Sequence, residues 1–166
     1  GNFDTFYPQG RFFDAQEVLE LANCTRKLLP DTVLSVTVPH ILPLNEQAQL
    51  AIDLLDIGAD IIQTEGGTSA RPISSGTLGL IEKASPTLAA TSSIHKHFLE
   101  TGSQIPLISA SGLSAVTIPM AIAAGANGVG VGSAVNKLSD EIGMIAVVRG
   151  LREAIDGIKF NSYTHV

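Results

Sequence analysis

Helix-forming spans and short β-rich runs alternate along this chain, and that alternation constrains the fold more than any other feature. Apolar residues near helical spacing fall in 14–29, 45–57, 85–101, 117–124 and 139–157. Each span carries its own stop or start signal. Asp14 with Glu17 reads as a capping box, Asn45 as an N-cap, and Ser85-Pro86 as an N-cap followed by proline in the first turn. Ser139-Asp140-Glu141 places acids in the positive first turn of the last span. Gly58, Gly102 and Gly125 stand where left-handed helix terminators belong. Between the helices lie Thr32–Val38, Asp60–Glu65, Ile105–Ser111 and Asn127–Val131. Strands alternating with helices mean βαβ units and a parallel sheet.

The junctions repeat. Ile57-Gly58-Ala59-Asp60 before one run matches Ala124-Gly125-Ala126-Asn127 before another, with Asp60 and Asn127 placed to bond turn backbone. Parity within the runs bears on which parallel fold this is. Ser35 and Thr37 alternate with Leu34, Val36 and Val38. Gln63 and Glu65 fall together, Ser109 and Ser111 alternate with Ile108 and Ala110, and Val129 and Val131 alternate with glycines. Each strand can therefore present an apolar or neutral face to helices and a small or polar face elsewhere. A doubly wound sheet covered on both faces would read as continuous hydrophobic runs. A barrel interior that is polar near the strand ends fits better.

A (β/α)8 barrel needs eight strands and about 250 residues; this sequence has four runs in 166 residues. Its opening, Gly1-Asn2-Phe3-Asp4, reads as the tail of a strand already under way. The expectation is a single domain over 1–166: the carboxy-terminal half, about four βα units, of a TIM-like barrel whose first half precedes this sequence. A complete flavodoxin-like domain is the rival. Half a barrel has two open sheet edges, so self-association is expected as well.

Composition excludes several functions. Sixteen acidic against ten basic residues give a net charge of −6, which argues against a broad basic nucleic-acid face. A single cysteine, Cys24, excludes an internal disulfide and a thiolate metal cluster, and it sits on a helix among apolar neighbours, in the core or near the surface. No charged residue occurs between Glu100 and Lys137, but Pro106, Pro119 and a series of glycines break any membrane-spanning helix there.

Two turns carry the main functional signal: Ser109-Ala110-Ser111-Gly112 and Gly130-Val131-Gly132-Ser133. Barrels commonly hold phosphate at the loops after their last two strands, on backbone amides at a helix start. Ser111, Gly112, Gly130, Gly132 and Ser133 are the candidate cofactor- or phosphate-binding residues, in a stretch without a nearby lysine or arginine. The same glycines could simply admit tight strand packing. The Gly- and Thr-rich loop from Gln63 to Gly76 follows a strand and reads as a lid. In it, Gln63, Gly66, Gly67, Thr68 and Arg71 are candidate substrate contacts.

Glu65 ends a strand and could act as a general base; alternatively it bonds lid amides or pairs with Arg71. His40, after the first strand, could shuttle a proton or be structural. His95 and His97 are two apart on a helix, and no Asp/His cluster has metal-ligand spacing, so no metal site is expected. No lysine ends a strand, so Schiff-base chemistry would need residues from elsewhere. Five of the eight aromatic residues, Phe3, Phe6, Tyr7, Phe12 and Phe13, crowd the start, as packing or as a surface for stacking a ring.

GNFD at Gly1, LSVTVPH at Leu34, GADIIQTEGGTS at Gly58, GLIEKASPTLAA at Gly79 and SASGLSAVTIPMAIAAGANGVGVGSAVNKL at Ser109 together resemble the hypothetical chloroplast reading frame 23 family. The resemblance spans nearly the whole chain. It implies a TIM-barrel-like fold and a plastid-stroma or cyanobacterial-cytoplasm setting, and it assigns no reaction. The glycine turns are also similar to those of phosphate- and flavin-binding barrels, such as thiazole synthase, so FMN is one possible cofactor. The leading expectation is thus a barrel that binds a phosphorylated small metabolite, flavin or nucleotide, with lyase, isomerase or synthase chemistry if it is an enzyme. A barrel that senses a metabolite or binds a protein partner without catalysis is the alternative.

Overall fold

The computed structural model describes residues 3–161, the side chains of 159–161 excepted. Four strands, β1 (Ser35–Thr37), β2 (Ile61–Gln63), β3 (Leu107–Ala110) and β4 (Gly128–Gly130), form one parallel sheet in the order β1-β2-β3-β4. Six helices accompany them: α1 (Ala15–Leu28), α2 (Leu44–Asp56), α3 (Gly76–Thr101), α4 (Ile118–Ala123), α5 (Ser133–Asn136) and α6 (Glu141–Asn161). Each strand pairs with its sequence neighbour, and no pair reverses the order. A flavodoxin-like sheet would reverse it next to its first strand. The architecture is α/β and compatible with half of a barrel. Among the described residues β1 and β4 each have one neighbour, which leaves two open edges.

Paired residues of parallel strands point the same way, so the register sorts the two faces. Val36, Val38, Ile62 and Leu107 pack into the main core with Val18, Ala48, Leu50, Ala51, Leu54, Ile94 and Phe98 from α1, α2 and α3. Val129 and Val131 join a smaller cluster with Ala84, Leu88, Leu113, Ala121 and Ile122. Helices thus cover one face. The opposite face carries Ser35, Thr37, Gln63, Ala110 and Gly130.

In β3, Ser109 lies on the helix side, contrary to the expectation that small polar groups share the open face. Ser109 is fully buried and its Oγ accepts from Thr91 Oγ1 of α3 at 2.9 Å. A threonine-bearing helix supplies the hydrogen bond that makes a serine acceptable there, and Ile108 and Ala110 take the other face.

The helix signals hold in part. Asp14 Oδ1 accepts from Glu17 N at 2.8 Å, as a cap should. Leu21 and Leu29, expected on the apolar side, are about half exposed. Pro43, not Asn45, occupies the α2 cap, and its carbonyl accepts the first helical amide, from Gln47. Ser85-Pro86 does not open a helix; α3 starts ten residues earlier, behind Ser75, and runs through Pro86. Its buried residues Ala84, Thr87, Thr91, Ile94 and Phe98 form one continuous stripe across the proline. Burial of that stripe offsets the roughly 3 kcal/mol that an interior proline costs. Gly102 terminates α3 at φ +72°. Phe3–Thr5 is a 3₁₀ turn rather than a strand tail; Gly1 and Asn2 lie outside the described residues. The last helix extends to Asn161, past the expected end near Gly157.

The repeated junction is structural. Gly58 and Gly125 both have positive φ (+90° and +107°). Asp60 Oδ2 accepts from Leu34 N, and Asn127 Oδ1 accepts from Leu107 N, each at 2.8 Å. The two side chains bond the amide just ahead of the neighbouring strand or at its start, not their own turn as expected.

Candidate functional site

The ends of β2, β3 and β4 open into one cleft of about 700 Å³. Its lining includes Gln63 at the end of β2, Glu65, Gly67, Thr68 and Arg71 from the loop that follows, Ser111 and Gly112 after β3, Gly130 at the end of β4, and Gly132 and Ser133 after it. Ten of the twelve sequence candidates therefore meet at one place. His40 and Gly66 stand behind the cleft, beside Pro86, where a Cβ on Gly66 would lie 2.8 Å from Pro86 Cβ.

The glycines differ in why they are glycine. A Cβ on Gly67 would fall 2.2 Å from Gly112 N, and one on Gly112 would fall 2.7 Å from Lys83 O. These two let backbone pass against backbone. A Cβ on Gly130 would lie 3.1 Å from Ala110 Cβ. Around Gly132 there is open space, and its φ of −110° suits any residue. Ser111 has φ +75°, a conformation that disfavours a side chain, and its Oγ accepts from Gly67 N at 3.0 Å.

Three basic residues line the cleft: Arg71, Lys83 and Lys137. The glycine turns are thus not remote from cations, as the charge-free stretch suggested; the fold brings cations in from the lid, α3 and the segment after α5. Arg71 bonds the carbonyls of Thr68 and Ser69 and does not pair with Glu65. Gln63 donates to Ser35 Oγ at 2.6 Å on the cleft face of the sheet.

Glu65 is 1% exposed and heavily engaged. Its Oε1 accepts from Tyr7 Oη at 2.7 Å and from His40 N at 3.3 Å, and lies 3.2 Å from His40 Nδ1; Oε2 accepts from Asp4 N at 3.2 Å. Asp4, fully buried, was missed by sequence reasoning. Its Oδ2 accepts from the amides of Gly66 and Thr68, and Oδ1 accepts from Ser69 Oγ and stands 3.2 Å from His40 Nδ1. The loop after β2 therefore hangs on a carboxylate from the first turn. Only the aspartate in the GNFD segment hinted at this, and sequence distance hid its partners.

Burial disfavours the charged imidazole of His40, but the bond to Glu65 and the charges of Asp4 and Glu65 outweigh it, so its pKa rises above the usual value. Burial, reinforced by Glu65, pushes the Tyr7 phenol far above the usual tyrosine range. Asp4, His40 and Glu65 each offer a ligand-type atom within 4.8 Å of the others. The early aromatics pack together: Phe3 and Phe6 against Phe13, and Tyr7 against Phe12 and, at 5.3 Å, His40. Cys24 is exposed, and the ring of His95 covers Gly125.

The family described as "Protein of unknown function (DUF561)" matches residues 1–161. The chain belongs to this family. It is 40% identical over 156 residues to the uncharacterized protein ycf23 of Pyropia yezoensis, covering 94% of this chain and 55% of that protein. It is 42% identical over 156 residues to ycf23 of Cyanophora paradoxa, covering 94% and 62%, and 40% identical over 155 residues to ycf23 of Porphyra purpurea, covering 93% and 57%. The resemblance carried by the five sequence segments holds. The chain spans between about half and two thirds of the length of these relatives. No solved structure matches it, and no helix among the described residues is long and apolar enough to cross a membrane.

Proposed function

We propose that the chain is part of a TIM-like (β/α) barrel that binds a phosphorylated small metabolite in the cleft. The phosphate is held by amides near Gly112, Gly132 and Ser133 together with Arg71, Lys83 and Lys137. The observation that carries this reading is the convergence of charge. In a chain with net charge −6, three of ten basic residues line one cleft, and the one acidic residue of its lining among the described residues, Glu65, is already hydrogen-bonded. Gly132 supports it by leaving room for an anion to approach the backbone. Gln63 and Thr37 supply polar groups for the rest of the ligand. The ycf23 relatives support a plastid-stroma or cyanobacterial-cytoplasm setting.

Titration calorimetry with inorganic phosphate and with FMN tests the proposal. Both the parent chain and Gly132→Asp fold, since the new side chain enters open space, and the variant binds at least tenfold more weakly because a carboxylate now faces the anion. Equal affinity in the two proteins ends the idea. If FMN is the ligand, the loaded protein is yellow.

A second reading, metabolite sensing without chemistry, draws support from the donors that already occupy Glu65. It predicts that Glu65→Gln leaves ligand-dependent behaviour unchanged. A loss of turnover with retained binding would instead favour proton handling by Glu65 and His40.

A further inference from the structure

We propose that Asp4, His40 and Glu65 bind one divalent first-row transition-metal ion behind the cleft, at Glu65. The three residues come from separate parts of the chain: the Phe3–Thr5 turn, the loop after β1 and the end of β2. His40 Nδ1 lies 3.2 Å from Asp4 Oδ1 and 3.2 Å from Glu65 Oε1. Ligand atoms bonded to such an ion at about 2.0–2.2 Å stand about 2.8–3.1 Å apart at octahedral angles and about 3.3–3.6 Å apart at tetrahedral ones. The spacing already matches two edges of a coordination polyhedron.

The other bonds of both carboxylates hold them in this orientation. Asp4 is fixed by the amides of Gly66 and Thr68 and the Ser69 hydroxyl, and Glu65 by the Tyr7 hydroxyl and the amides of Asp4 and His40. Ligand carboxylates are typically oriented by hydrogen bonds of this kind. Asp4 Oδ1 and Glu65 Oε1 are the two oxygens that turn toward the imidazole nitrogen. When the ion binds, a metal–nitrogen bond replaces the N–H bond of Nδ1 and that proton leaves to solvent.

Charge points the same way. Glu65 is 1% exposed and has no lysine or arginine within ion-pair distance among the described residues; its positive partner is a histidine it shares with Asp4. Among the described residues the other groups facing Glu65 are neutral hydrogen-bond donors and the second carboxylate, Asp4, and a dication would add the opposite charge that a buried carboxylate favours. One imidazole with two carboxylates suits Zn²⁺, Mn²⁺, Fe²⁺ or Co²⁺ better than Ca²⁺, which takes oxygen ligands, or Cu⁺, which takes sulfur. Three protein ligands leave positions open for water or a bound molecule. Glu65 also lines the cleft, so the ion and a cleft ligand would share this residue.

The test is a Co²⁺ titration of the chelator-stripped chain, read by visible absorption and by calorimetry. One equivalent binds with d–d bands of nitrogen–oxygen coordination, and Zn²⁺ abolishes the bands. His40→Ala and Asp4→Asn each weaken binding at least tenfold, whereas a His95→Ala, His97→Ala double variant binds as the parent does. If circular dichroism shows Asp4→Asn unfolded, Tyr7→Phe takes its place, weakening binding severalfold through loss of the bond that orients Glu65. No binding at millimolar Co²⁺, or binding that survives His40→Ala, overturns the proposal. Gly132→Asp leaves Co²⁺ binding intact, so this site and the phosphate reading stand or fall separately.

Discussion

The hydroxyl of Tyr7 donates to Glu65 Oε1 at 2.7 Å across 58 residues of chain, tying the first turn to the end of β2. Removing it leaves a nearly fully buried carboxylate with one donor fewer. Tyr7→Phe is therefore expected to lower the free energy of unfolding by about 1.5–3 kcal/mol, as for other hydrogen bonds to charged groups. Urea denaturation measures it, and an unchanged midpoint would show that the bond contributes nothing.

Two cleft glycines separate packing from access. Gly67→Ala puts a methyl group 2.2 Å from Gly112 N, and neither backbone can yield without moving a strand end. It costs about 3 kcal/mol or more. Gly132→Ala meets open space at an ordinary φ and shifts stability by less than about 1 kcal/mol. Similar thermal midpoints for the two variants would contradict the packing described.

Asp60 gives a pH dependence. The Leu34 amide, and next the Arg26 guanidinium, lower its pKa below the usual 3.8. A lowered folded-state pKa adds stability that is fully present above the unfolded value and disappears as pH falls through the folded one. Asp60→Asn keeps an acceptor for Leu34, as Asn127 does for Leu107, but loses the charge facing Arg26. The stability gap between parent and variant is expected to be small near neutrality and to close as the pH falls from 3.8 through the lowered folded-state value. A gap that widens on acidification would be inconsistent with these bonds.

The edges of β1 and β4 are unpaired among the described residues, and Leu28 at the end of α1 and Val33 just ahead of β1 are 80% and 68% exposed. Open parallel edges invite pairing, so sedimentation of this chain is expected to show concentration-dependent association. A single monomeric species across the concentration range would count against it.

What could be read from the sequence followed from local chemistry. Gly58, Gly102 and Gly125 end helices because a positive φ is a property of a few consecutive residues. The candidate cleft residues were placed by a simple rule, that loops after parallel strands lie at one end of the sheet. Pro86 misled because its local preference was outweighed by a buried stripe extending on both sides of it, which is tertiary. Ser109 misled because its partner, Thr91, sits on a helix 18 residues away. Asp4 went unassigned because the lid amides and hydroxyl it accepts from are more than 60 residues distant, and no spacing rule reaches that far.

The matched pair of Gly58-Ala59-Asp60 and Gly125-Ala126-Asn127 implies that the sheet is assembled from interchangeable two-strand modules, each sealed by an acceptor side chain clasping its neighbour's leading amide. Exchanging the two tetrapeptides, Ile57–Asp60 for Ala124–Asn127, should leave the sheet order intact. The fold can then accumulate or lose such modules in pairs while the groups at the cleft evolve on their own.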